Sequence, residues 1–142
     1  MKSRIIFVLF VILAFTLPVV SQAKKFQINI SITAKDEKME SDIKSYVARE
    51  LRSLGDVDVV EVGDYTVKIA ILKILARDGY EVGYAVSYTL IHNVVCQGNV
   101  YLDDIDGGLR ITDTDSLRKT WEYIVTTFDT RVFEKLRKAS KK

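Results

Sequence analysis

The residues of this chain best suited to chemistry are its aspartates. Asp103, Asp104 and Asp106 precede Gly107-Gly108, and Asp113 and Asp115 follow. Such a density of carboxylate oxygens is what a hard cation such as calcium accepts. The spacing does not fit an EF-hand loop. With Gly107 as the loop glycine, the first ligand position falls on Leu102 and the last on Asp113, where a bidentate glutamate is required. Asp-Gly pairs also make turns without metal, so a surface turn is the plainer expectation.

His92 is the one histidine and Cys96 the one cysteine of the 142 residues. A zinc centre built on a pair of histidines is therefore excluded. Ser87 and the aspartates supply residue types for a Ser-His-Asp arrangement, but no Gly-x-Ser-x-Gly elbow accompanies them. We expect no catalytic residues and no cofactor, with calcium at Asp103, Asp104 and Asp106 as the alternative. Cys96 follows Val94 and Val95. It reads as a small buried hydrophobe, the other readings being a reactive thiol or one paired between chains.

The remaining candidates suit binding. Tyr80, Tyr84 and Tyr88 recur at even positions with Val82, Val86 and Leu90. In a strand that spacing puts them on one face, opposite the small Gly83, Ala85, Ser87 and Thr89. Tyrosine gives broad apolar contact with a polar tip, so the row either packs under a helix or presents itself to a protein partner.

The elements that position these groups follow from periodicity. Phe26 to Thr33 alternates apolar and polar and predicts a half-buried strand. Met39, Ile43, Tyr46, Val47, Leu51 and Leu54 recur at helical spacing over Asp36 to Leu54, and Gly55 stops the helix. Val57 to Val62 returns to strand composition, which makes the start a βαβ unit with a parallel crossover. Tyr65 to Leu75 and the run after Asp78-Gly79 predict an antiparallel hairpin closed by a type I′ turn. A turn near His92-Asn93, or one strand running through it, leads to a strand over Val94 to Leu102. Leu117, Trp121, Ile124, Val125, Phe128, Val132 and Leu136 mark one long amphipathic helix reaching Ala139, with Trp121 a core anchor. The fold class is α+β: a single domain in the order β-α-β-β-β-β-α, with a mixed, mostly antiparallel sheet and two helices packed on it.

The first 23 residues belong to an address. Lys2 and Arg4 precede an apolar run from Ile5 to Val20, and Ser21-Gln22-Ala23 offers the small residues of a cleavage site. We expect a signal peptide over 1–23, cleaved after Ala23, and one domain over 24–142; the alternative is a retained anchor. No cysteine lies near that site to carry a lipid. The net charge of +2 equals the contribution of Lys2 and Arg4. The exported part is then neutral and gives no support for nucleic-acid binding. The basic tail from Arg137 to Lys142 suits a solvated helix C-terminus.

The exported first strand and helix, the run Asp56 to Tyr65 leading into an apolar strand, and the late amphipathic helix resemble the periplasmic α/β domain at the amino terminus of TolB and in CsgG-like envelope proteins. That resemblance implies a recognition or assembly module rather than an enzyme. The functional expectation is a periplasmic or secreted, non-enzymatic binding or assembly module of the cell envelope, with a protein partner there and no stable membrane span after cleavage. Its rivals are a small metal-dependent or hydrolytic enzyme using residues 103–115, and a secreted inhibitor or effector.

Overall fold

The structure, a computed structural model, describes residues 25–96 and 99–140. The expected signal peptide lies outside the described residues. Five strands form one sheet: β1 (Phe26–Thr33), β2 (Val57–Val59), β3 (Tyr65–Leu75), β4 (Glu81–Cys96) and β5 (Asn99–Thr112), in the order β2-β1-β3-β4-β5. Helix α1 (Glu37–Ser53) joins β1 to β2. Helix α2 (Leu117–Phe128), a π-helical turn (Asp129–Phe133) and α3 (Glu134–Ala139) follow β5. The predicted order of elements is the observed one. β1 pairs in parallel with β2 and β3, while β3-β4 and β4-β5 are antiparallel, so the sheet is mixed.

Local chemistry sets the boundaries. Asp36 caps α1 by accepting a hydrogen bond from the Met39 amide at 2.8 Å, and the Glu40 carboxylate accepts from the Ala34 amide at 2.9 Å. At the other end Gly55 turns the chain with φ +83. The β3-β4 connection differs from the predicted type I′ turn. The Gly79 amide donates to the Ala76 carbonyl, the Ala76 amide donates to the Tyr80 carbonyl, and Gly79 takes φ +88. This is a longer loop closed by a left-handed glycine, the form that suits one positive-φ residue instead of two.

The described helices lie on one face of the sheet. Ile43, Val47, Ala48 and Leu51 of α1, with Trp121, Ile124, Val125, Phe128, Val132 and Phe133 of the last helical run, bury against Ile28, Ile30, Val67, Ile69, Ile71, Val86 and Leu90. The terminal helix is not uniform: one π turn interrupts it at Asp129–Phe133. The wider turn advances the apolar stripe and carries Phe133, outside the predicted stripe, into the core. There Phe133 stacks on Phe26 with ring centroids 5.0 Å apart and meets Tyr65 edge-on. Arg137 fastens the end of the run. It donates to both oxygens of Asp56 and forms an ion pair with Asp129 at 2.6 Å. Its guanidinium therefore ties the last helix to the start of β2, a structural role the tail reading missed. No described helix is long and apolar enough to cross a membrane.

Candidate functional site: a bare sheet face and its open edge

Strand register fixes which residues share each face, because directly opposed residues point the same way. Ile30, Val67 and Leu90 stand in one row, and Ile32, Ile69 and Tyr88 in the next; these face the helices. The opposite face carries Ala70, Ser87 and Leu109 in one row and Leu72, Ala85 and Ile111 in another. No described helix covers this second layer. Leu72, Leu109 and Ile111 are 71%, 72% and 73% exposed. On β1 the same face turns polar, with Gln27, Asn29, Ser31 and Thr33. The apolar half thus lies over β3, β4 and β5, and it runs to the margin of the sheet.

That margin is β5, whose outer side pairs with no strand among the described residues. A strand of 14 residues offers an unusually long row of open amide and carbonyl groups. Its register with β4 slips between Leu90 and Ile91, leaving Ile105 as the extra residue of a bulge. From Asp106 to Thr112 the pairing is regular. Gly107 and Gly108 sit within this stretch instead of making a turn, and a cross-strand contact explains why. A Cβ on Gly108 would lie 2.7 Å from the Tyr88 hydroxyl and 2.9 Å from its ring. The Tyr88 ring fills the space above Gly108 and supplies the packing the glycine lacks.

Two charged residues flank this segment on the helix side. Asp106 accepts the Gly107 amide on Oδ1 at 2.9 Å and lies 3.5 Å from Arg131. Its Oδ2 is buried with no hydrogen-bond partner. Arg110 lies over the Tyr123 ring at 4.3 Å from its centroid.

The residues singled out from sequence distribute as follows. Tyr84 and Tyr88 are buried in the core and Tyr80 is exposed on the hairpin, so the three do not form one open surface. The separation has a physical cause: the register of β3 with β4 slips at Ile74/Leu75, and Val82 becomes the odd residue that breaks the alternation. Burial pushes the Tyr88 hydroxyl pKa up, and a hydrogen bond to Glu81 raises that of Tyr84. Asp103, Asp104 and Asp106 are strand positions opposite His92, Ile91 and Leu90, spread along β5 instead of gathered in a loop. Among the described residues no group of three acidic, histidine or cysteine side chains is placed to hold a metal. His92 stacks on Tyr65 at 5.0 Å within β4, which runs straight through the position of the expected turn. Cys96 ends β4, and its side chain lies outside the described residues.

A groove of about 340 Å³ opens at the far end of the core between α1 and α2, lined by Met39, Ile43, Ile71, Leu117 and Trp121 with Asp36 and Asp42 beside them. The polar groups next to it are engaged with one another. Lys73 pairs with Glu81, which also accepts from the Thr114 hydroxyl at 3.2 Å, and the lysine holds the Glu81 carboxyl below its ordinary pKa. This is a satisfied surface network at the mouth of an apolar slot.

No family model and no curated relative matches the sequence. Solved structures do. The chain is similar to a dodecameric PelC variant from Paraburkholderia phytofirmans, at 20% identity and TM-score 0.44, over 75% of this chain and 87% of that one. It is also similar to rare lipoprotein B from Shewanella oneidensis, at 12% identity and TM-score 0.35, over 80% and 98% of the two chains. A lipoprotein B of Nitrosomonas europaea follows at 15% identity and TM-score 0.36, over 78% and 85%. These findings correct the resemblance to TolB and CsgG drawn from the order of elements: the similar structures are PelC and lipoprotein B chains. An order of strands and helices is shared by many two-layer folds, and it does not discriminate among them.

Proposed function

We propose that the chain is an exported, non-enzymatic assembly module of the cell envelope that works through the bare half of its sheet. One observation carries the reading. The apolar residues Leu72, Leu109 and Ile111 stand exposed on the face away from the helices, continuous with the open edge of β5. Exposed apolar surface of this kind, rimmed by polar residues, marks a surface that another molecule covers. The leader-like segment over 1–23 supports an envelope address, with its basic start, apolar run and small residues before position 24. The enzyme reading draws less support, since the aspartates it needs are spread along one strand.

A double substitution tests the reading. Leu72→Lys with Ile111→Lys places two charges on exposed positions, so the unfolding free energy is expected to stay within about 1 kcal/mol of the parent. Cross-linking in intact cells is expected to trap the parent chain in larger species and to leave the variant free. Identical cross-linking of the two overturns the reading.

A further inference from the structure

Resting on that reading, we infer that the occupant of the open edge is a second copy of this chain, joined β5 to β5 in antiparallel register about Gly108.

The geometry of strand pairing restricts the possibilities. A two-fold axis normal to the sheet keeps both helix layers on one side, so residues of like face must stand opposite each other. The crossing point then falls on a residue, not between two. The bulge at Ile105 ends the regular edge on one side and Thr112 ends the strand on the other, which leaves Asp106 to Thr112 to pair.

Charge selects among the registers that remain. Crossing at Gly108 sets Asp106 of each copy opposite Arg110 of the other, on the helix side, twice by symmetry. On the bare side it sets Leu109 of each copy opposite Gly107 of the other, while the bulge residue Ile105 stays on the helix side beside Asp106 and Arg131. Leu109 and Ile111 are both exposed in the single chain. Gly107 leaves room for Leu109, and directly opposed unlike charges stabilise a strand pair. Crossing one step later, at Leu109, puts Asp106 opposite Thr112 and Arg110 opposite Gly108, and neither charge then faces an opposite one across the seam.

The single chain is incomplete where this register would complete it. Asp106 has one carboxylate oxygen buried without a hydrogen-bond partner, and Arg110 meets a ring face. A guanidinium opposite Asp106 puts a second cation beside its carboxylate, next to Arg131. The same pairing satisfies the row of open backbone groups and brings the two apolar half-faces together, with the polar β1 margins outermost. The device that usually guards such an edge, an inward charge next to a bulge, is present only at its Asp106 end.

The test is the molar mass of the protein by light scattering across a concentration series, using the product purified from cells that express the full chain. The expected mass is that of two chains. Asp106→Arg and Arg110→Asp each weaken the dimer by about tenfold or more, and the double exchange of both charges restores it. Because Asp106 also touches Arg131, Leu109→Lys serves as an edge variant at an exposed position, and it too is expected to give the mass of one chain. Leu72→Lys, two strands in from the edge, leaves the dimer intact. Loss of the dimer in Leu72→Lys would mean that copies pack face to face, which overturns the edge pairing. Single exchanges without effect, or failure of the double exchange to restore, overturn the register. A single-chain mass at all concentrations overturns the dimer, while cross-linking of the bare face to other envelope proteins would leave the assembly reading standing.

Discussion

The Asp56-Arg137 pair shows how one residue can decide stability that the sequence pattern does not reveal. Arg137 holds the Asp56 carboxyl below the ordinary carboxylate range, chiefly through the hydrogen bond, while burial opposes the shift. A lowered folded pKa stabilises the protein above the unfolded value of about 3.9, and the contribution is lost as pH falls through the lower folded value. Asp56→Asn is therefore expected to cost about 1–3 kcal/mol at neutral pH in urea unfolding, and to make stability flatter with pH through the acid range. An unchanged pH profile in the variant would show that the pair contributes nothing. Gly108 makes a second prediction. Replacing it with alanine forces Tyr88 aside and is expected to destabilise by about 1–3 kcal/mol, with Tyr88 fluorescence reporting the displacement. Neither residue was legible as such. Arg137 sat in a run of terminal basic residues, and Gly108 followed Asp106-Gly107, a pattern that in isolation makes a turn. Each gains its role from a group more than ten positions away, which local spacing cannot encode.

At the scale of elements, periodicity succeeded where an element has one buried face and no interruption. Ile43, Val47 and Leu51 of α1 and Ile28 and Ile30 of β1 are buried as their spacing predicted. It was incomplete where one residue is inserted. The π turn adds a residue to the last helix, the bulge at Ile74/Leu75 breaks an alternation over Tyr80 to Leu90 that is unbroken in sequence, and a second bulge inserts Ile105 into β5. The shift in register explains why Phe133 was missed, and why Val82 and Tyr80 lie outside the core row. Fully buried Phe133 is expected to contribute more than its position near the chain end suggests. Phe133→Ala should lower the unfolding free energy by about 3–5 kcal/mol, whereas Lys135→Ala, two positions further on the exposed side, should change it by less than about 0.5 kcal/mol. Equal small losses would show that the π turn frays freely and does not anchor the core.

Over the described residues the molecule is a two-layer structure, with helices on one side and, on the other, a half-apolar sheet face that no described helix covers. The two-layer class was legible because the order of elements contains only enough helix to cover one face of a five-stranded sheet. The candidate site was not legible. The tyrosine row attracted attention by residue type, yet Tyr84 and Tyr88 are spent on the core. The surface that emerged instead, Leu72, Leu109 and Ile111, comes from two strands far apart in sequence, and only their register through β4 unites it. The most direct test of this account is site-specific photo-cross-linking in intact cells, with the reactive group placed at position 111 on the bare face or at position 44 on the exposed side of α1. Adducts from position 111, with little from position 44, are the predicted result. Equal labelling from both, or adducts from position 44 alone, would contradict the claim that the bare sheet face is where this protein meets its partners.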